Sequence, residues 1–267
     1  MRLHRIIERL LLNKLISKSS GEYGGYVLYK PIQDDRRSDV ELRSKIESAA
    51  RWVYAQEMEA AEPKSSWGLS LRNRIWSATV ASLLLLLLSP LLIFIAISIK
   101  YTSYGPVFFI QERTGYKGRR FKMIKFRSMV ENAEDLKKHF YHLNKHGKHS
   151  VDFKIDKDPR RTFIGEWLRR FSLDELPNLF NVIKGDMRLV GPRPTSFSAH
   201  DYPDQGLVRL AVYPGITGLW QIGGRSQLNF DERVKLDLQY IENQGFWFDL
   251  KILFLTPIRV LEGKGAS

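Results

Sequence analysis

The apolar and polar positions of this chain depart furthest from ordinary globular patterning over residues 78–99, ATVASLLLLLLSPLLIFIAISI, where no charge occurs. As a helix this run extends roughly 33 Å at the α-helical rise, enough to cross a bilayer. Pro90 falls mid-run, where it removes one helical hydrogen bond and clashes with the preceding turn, so a kink is expected. The hydroxyl of Ser89 is placed to bond back to a freed carbonyl. Both flanks are basic: Arg72 and Arg74 precede the run, and Lys100, Lys117, Arg119, Arg120 and Lys122 follow it. Positive charge marks the cytoplasmic side of a membrane segment, and here it marks both ends. The pattern fits a spanning helix and, equally, a helix that dips into one leaflet and returns.

Elsewhere the periods are shorter. Residues 1–18 alternate apolar with basic positions and lack a small-residue cleavage site, which predicts an amphipathic helix rather than a signal peptide. Residues 19–37 carry no clear period. Ser38 and Glu41 form a capping box for a helix that ends before Pro63, and residues 62–68 (EPKSSWG) read as a linker. VFFIQERTG and RRFKMIKFRSM are β-prone runs separated by Gly115 and Gly118, as in a hairpin. Residues 131–157 are charged and expected to be exposed. They contain His139, His142, His146 and His149, but Gly147 interrupts any shared helical face and no cysteine joins them, so a solvated segment is expected rather than a zinc site. From Thr162 onward the pattern is helical, broken by Gly-Asp and Gly-Pro-Arg-Pro turns.

Charge narrows the partners. At +13 over 267 residues, with no cysteine, the chain favours polyanions and excludes disulfide and thiolate chemistry. Nucleic acid is disfavoured, because Trp220, Trp247 and Phe248 sit in apolar contexts rather than interleaved with basic residues.

The densest chemistry lies in DPRRTFIGEWLRRFSLDELPNLFNVIKGDMRLVGPRP, residues 158–194. Ser172-Leu173-Asp174-Glu175 is itself a capping box, with Phe171 and Leu176 at the hydrophobic-staple positions. The same geometry suits catalysis, since a helix N-terminus binds phosphate and keeps an Asp ionised. An ionised Asp can attack phosphorus, and an adjacent carboxylate can bind Mg²⁺. Position alone does not separate the two readings. The surrounding arginines favour phosphate. Arg193, between Pro192 and Pro194, stands on a stiffened backbone, whereas Arg169 and Arg170 read as a solvated basic face.

With these residues in view the chain resembles the bacterial sugar transferases of the monotopic phosphoglycosyl transferase family. The matching segments are SPLLIFIAISIKYTSYGPVFFIQERTGYKGRRFKMIKFRSM, the 158–194 stretch, and YPGITGLWQIGGRSQLNFDERVKLDLQYIENQGFWFDLKILFLT. They cover most of residues 89–256, in order. The resemblance implies an α+β, mainly helical fold: a re-entrant helix–break–helix at 71–100 hinged at Ser89-Pro90, and a compact cytosolic catalytic domain at 101–262 with a small β element. Residues 1–70 form an extension of unassigned role. Asp174 is implied as nucleophile, Glu175 and Asp249 as Mg²⁺ ligands, and Arg193 and Arg225 as phosphate or nucleotide contacts. Residues 252–260 (ILFLTPIRV) suit a membrane-facing stretch.

The implied reaction moves a sugar-1-phosphate from a nucleotide sugar, a UDP-sugar above all, to polyprenyl phosphate through a phospho-sugar aspartyl intermediate, releasing UMP. That step starts exopolysaccharide, O-antigen or glycoprotein glycan assembly at the cytoplasmic face of the bacterial inner membrane, with membrane lipid as neighbour and self-association left open. Two other classes remain: a membrane-anchored basic interaction protein, which has no need of three acids, and a metal-dependent lipid phosphatase, which needs no nucleotide sugar. One departure stands out. Ser77 occupies the place of an Asp that the family carries just before the apolar run, so an anchoring contact there is expected to differ.

Overall fold

The computed structural model describes residues 66–144, 155, 158–196, 204–224 and 228–262, all within one compact unit of the chain. The amphipathic helix expected at 1–18, the helix from Ser38, His146, His149 and Arg225 lie outside the described residues.

Helix α1, Leu71–Thr102, is one continuous 32-residue element that contains Pro90. Ser70 caps it, its side chain accepting from the Asn73 amide at 3.1 Å. Because Pro90 has no N–H, the carbonyl of Leu86 loses its helical donor. Ser89 Oγ donates to that carbonyl at 2.8 Å, so the helix carries through the proline without a formal break.

The two halves of α1 pack on different parts of the same domain. Ala81, with Val80, Leu84 and Leu85, belongs to a core containing Phe121, Met123, Leu179 and Val182. Ile95 and Ile99 join a second cluster with Phe126 and Leu168. Between them Leu86 and Leu87 are three-quarters exposed.

Strands β1 (Phe108–Thr114) and β2 (Arg120–Phe126) form the expected antiparallel hairpin, with Phe108 opposite Phe126 and Thr114 opposite Arg120. Their turn holds Lys117 at φ 52 and Gly118 at φ 73, in the left-handed region. Helix α2 (Ala133–Lys137) follows, and His139 and His142 lie exposed in the 3₁₀ turn after it. Helix α3 (Phe163–Arg170) is capped by Thr162, whose hydroxyl accepts from Gly165 N at 3.0 Å.

Helix α4, Asn178–Lys184, is fastened to the hairpin by the buried Asn181. Its amide donates to Lys122 O at 2.7 Å and its oxygen accepts from Ile124 N at 3.2 Å. One side chain thus satisfies an edge-strand donor and acceptor that would otherwise be buried unpaired.

The sequence pattern did not predict the parallel pair β3 (Arg188–Val190) and β4 (Gly215–Thr217). At three residues each they are too short for a period to register. A Cβ on Gly215 would lie 2.1 Å from Gly191 N, so glycine is what lets these backbones meet just before the Gly-Pro-Arg-Pro turn.

Helices α5 (Leu219–Gly223), α6 (Phe230–Asn243) and α7 (Phe246–Leu261) complete the domain. A full capping box between Asn229 and Glu232 starts α6. Of the residues expected to be a linker, only 66–68 are described, and Gly68 docks here, its N donating to Gln244 Oε1 at 2.7 Å.

Candidate active site

Asp174 and Glu175 sit in a single 3₁₀ turn, Leu173–Glu175, and not at the capped helix start the sequence suggested. Ser172 adopts φ 53, ψ 22 and makes no capping bond. A left-handed conformation at a non-glycine residue costs about 1–2 kcal/mol. What holds the turn is the side chain of Glu175. Instead of reaching back to Ser172, it receives Lys125 Nζ at 2.7 Å and both terminal nitrogens of Arg193, Nη1 at 2.7 Å. Paired bonds to ionised groups outweigh a neutral cap.

Lys125 comes from the end of β2 and Arg193 from the Gly-Pro-Arg-Pro turn after β3, so the carboxylate ties three segments together. Burial pushes the Glu175 carboxyl up, but the Arg193 and Lys125 charges and hydrogen bonds overcome it and hold the carboxyl well below its ordinary value. Burial pulls Lys125 down, opposed by Glu175.

Asp174 differs from its neighbour. It is 9% exposed and, among the described residues, its carboxylate makes no hydrogen bond or ion pair. Burial raises its pKa, against the attraction of Lys125 and with repulsion from Glu175. Asp174, Lys125 and Arg193 line one cavity of about 470 Å³, joined by Arg169, Arg209 and Trp220. Arg169 therefore faces this cavity and not a solvated surface, while Arg170 is exposed beside Trp167. Lys125 and Arg209 were not singled out from the sequence. Lys125 lies in an alternating strand, where its outward-reading position hides a folded-state partner fifty residues away.

Behind the turn runs a chain of contacts. Asp237 on α6 lies 2.7 Å from Arg209 Nε. Arg209 Nη2 donates to the Arg193 carbonyl at 3.1 Å. Arg193 in turn grips Glu175, so the backbone bearing the clamp is fixed from α6.

Asp249 is not among the residues lining the cavity. Its Oδ2 receives Trp67 Nε1 at 2.8 Å and Asn73 Nδ2 at 3.3 Å, and its Oδ1 receives the Tyr240 hydroxyl at 2.9 Å. It bolts the start of α1 to α6 and α7. Burial lifts its pKa to about 6 despite those three donors. Glu175 and Asp249, which the family resemblance implied as Mg²⁺ ligands, have separate sets of partners. Glu175 is engaged by cations, Asp249 by neutral donors, and no cluster of three potential ligands occurs among the described residues.

Ser77 also takes a structural role. Buried at 2% exposure, its hydroxyl donates to Asn73 Oδ1 at 3.0 Å and receives Leu189 N at 3.4 Å, linking α1 to β3. No surface anchor is formed there.

Galactosyl transferase CpsE of Streptococcus agalactiae is 48% identical over 165 residues, 61% of this chain and 36% of CpsE. Exopolysaccharide production protein ExoY of Rhizobium meliloti is 38% identical over 228 residues, 84% of this chain and 100% of ExoY. Undecaprenyl-phosphate glucose phosphotransferase of Komagataeibacter xylinus is 41% identical over 216 residues, 76% of this chain and 38% of that protein. The chain thus spans little more than a third of CpsE and of the glucose phosphotransferase, and the whole of ExoY. The family model described as bacterial sugar transferase matches residues 69–263, a range that takes in all of α1, the hairpin, the carboxylate turn and α7, and on that match the chain belongs to the bacterial sugar transferase family.

Proposed function

We propose that the protein transfers a sugar-1-phosphate from a nucleoside-diphosphate sugar, a UDP-sugar in the first instance, to polyprenyl phosphate. The observation that carries this reading is the contrast within the acid pair. Glu175 is spent on two cations, while Asp174 is left unengaged beside them in the same cavity. Lys125, Arg193 and Glu175 together carry a single positive charge, which an ionised Asp174 balances. A buried carboxylate held ready among cations is a nucleophile for phosphorus.

In the first step an Asp174 oxygen attacks the sugar-bearing phosphorus. The bridging P–O bond breaks, and its electron pair leaves with the nucleoside monophosphate. In the second step an oxygen of the acceptor phosphate attacks the same phosphorus and returns Asp174 as a carboxylate. Lys125, Arg193 and Arg169 orient the phosphoryl oxygens and offset their charge through both steps. Mg²⁺ belongs to this reading as a counter-ion shared with the donor's phosphates, where it would neutralise charge. Relatives named for galactosyl transfer, for undecaprenyl-phosphate glucose transfer and for exopolysaccharide production support a hexose, a polyprenyl acceptor and a polysaccharide product.

The helix α1 fits this reaction as a re-entrant anchor at the cytoplasmic face of a bacterial inner membrane. Both of its halves pack on one domain, and strand β2 contributes to both clusters through Phe121 and Met123 on one side and Phe126 on the other. A straight crossing would put the two halves on opposite faces of the bilayer. The absence of cysteine makes single-cysteine labelling direct. Ser66→Cys should react only from the side that carries the active site, and reaction from the opposite face in intact cells would remove the re-entrant topology.

The reaction is tested by nucleotide release from a panel of UDP-sugars with Mg²⁺ and polyprenyl phosphate, wild type beside Asp174→Asn. Lipid-dependent UMP release with one sugar, lost in the variant, is the expected result. Equal release by Asp174→Asn would leave the reaction without its nucleophile.

A further inference from the structure

Arg127 follows β2 directly and is 5% exposed, yet its guanidinium is only half used. Nη2 donates to the carbonyl and the hydroxyl of Ser103, at 2.8 Å each. Nε and Nη1 are buried and have no hydrogen-bond partner among the described residues. Arginine stays protonated in any protein environment, so a buried charge with two unmet donors is a costly arrangement that an anion would relieve. Glu131, the acid beside Gly105, is exposed and makes no ion pair with Arg127. Gly105 makes room for the group: at φ 107 it carries no side chain, and a Cβ there would lie 2.2 Å from Nη1.

The surroundings say which anion. Ser103 is the residue that ends α1, so Arg127 is bonded to the point where the apolar helix leaves the membrane. Arg127 lines the same cavity as Asp174, where Phe108, Phe109 and Val130, each more than a third exposed, form an apolar stretch alongside the acids Glu131 and Glu134. Tyr101 and Tyr104, almost fully exposed, mark the headgroup level on this flank. A forked cation at headgroup depth, next to an open apolar wall and opening onto the catalytic cavity, suits a phosphate monoester on a long hydrocarbon chain.

We propose that Arg127 is the acceptor-phosphate site: its Nε and Nη1 donors receive the phosphate of an isoprenoid phosphate, whose chain runs out along Phe108, Phe109 and Val130. This assignment rests on the sugar-phosphate transfer proposed above. It divides the cavity's cations between substrates, with Lys125, Arg193 and Arg169 for the donor and Arg127 for the acceptor.

The test uses the full chain in detergent and measures binding of farnesyl phosphate, farnesol and inorganic phosphate to wild type, Arg127→Gln and Arg127→Lys, with thermal melting as the check on folding. Two charge-assisted hydrogen bonds should make wild type prefer farnesyl phosphate over farnesol by at least about tenfold. The preference should collapse in Arg127→Gln and fall partway in Arg127→Lys, which keeps the charge and loses the fork. Where the Gln variant melts early, the Lys variant decides. In turnover assays the same variants should raise KM for the lipid acceptor more than KM for the nucleotide sugar. A phosphate preference that survives in a folded Arg127→Gln overturns the assignment, as does inorganic phosphate binding as tightly as the isoprenyl ester. Failure of the reaction itself looks different: Asp174→Asn would keep full transfer activity while the Arg127-dependent lipid preference persisted.

Discussion

Replacing Glu175 with glutamine removes the charge that neutralises Lys125 and Arg193, and leaves two cations with side chains 14% and 26% exposed facing an amide. Removing one partner of a buried ion pair costs about 3–5 kcal/mol, because the other charge stays desolvated. In a domain of this size, roughly 2–4 °C of melting temperature is lost per kcal/mol, so the apparent Tm should fall by roughly 6–20 °C. Tryptophan fluorescence in detergent during a slow thermal ramp reads this directly. The pH dependence has a defined sign. The folded-state Glu175 carboxyl lies well below its ordinary 4.5, so its contribution is present above 4.5 and is lost as pH falls through the folded value. The gap between wild type and Glu175→Gln should therefore close in acid. A double variant, Glu175→Gln with Arg193→Met, should recover part of the loss, because it removes the stranded charge as well. A fall of less than about 2 °C at neutral pH would mean that the pair behaves as an exposed salt bridge worth under about 1 kcal/mol, and the account of the turn would fail.

Three further outcomes follow from the same geometry. Burial raises the Asp174 carboxyl from its ordinary 3.8, so kcat/KM should rise with pH along an acidic limb displaced upward from that value, and a limb at or below 3.8 would contradict a buried nucleophile. Asp249, lifted to about 6 from 3.8, makes folding less favourable as pH rises across that window, by about 3 kcal/mol in all. Asp249→Asn should lower the melting temperature by setting an amide donor against three donors, and should flatten the wild-type slope between about pH 4 and 6. Gly215→Ala places a methyl 2.1 Å from Gly191 N and should cost about 1–3 kcal/mol in stability while displacing the Arg193 turn, read as a loss of Tm together with transfer activity.

Local rules carried the hairpin and the apolar helix. Alternation in RFKMIKF and the glycines at 115 and 118 sufficed for β1 and β2, and Ser89 bonds the carbonyl that Pro90 frees. Reasoning by local rule failed where a distant partner competes. Ser172 and Glu175 satisfy the capping-box pattern, yet Glu175 binds Lys125, 50 positions before it, and Arg193, 18 positions after it. Two ionic partners outbid one backbone amide, and the serine is left in the left-handed region. Asp249 likewise has partners that no local pattern carries. The family resemblance implied a metal-binding role for it, and the fold shows the tryptophan, asparagine and tyrosine that donate to it. The parallel pair β3 and β4 had no period to read, since its register is set by two glycines 24 positions apart meeting backbone to backbone.

Strand β2 links the membrane element to the chemistry. Phe121 and Met123 share a core cluster with the first half of α1, Phe126 shares one with the second, and Lys125 and Arg127 stand between and beyond them. Alternation puts Phe121, Met123 and Lys125 on one face of the strand and Phe126 on the other, and Lys125 reaches Glu175. A shift of the strand by one residue would exchange the faces and bury the cations against Ile95 and Ile99. Asn181 prevents that shift by bonding Lys122 O and Ile124 N on the strand edge. Correct seating of α1 therefore fixes where Lys125 and Arg127 lie along the cavity. The same serine that ends α1 holds the guanidinium of Arg127. An apolar helix that served only as a tether could be exchanged for any other of equal hydropathy. This one has Ala81, Ile95 and Ile99 buried in the domain's own cores, so its sequence is part of the catalytic fold.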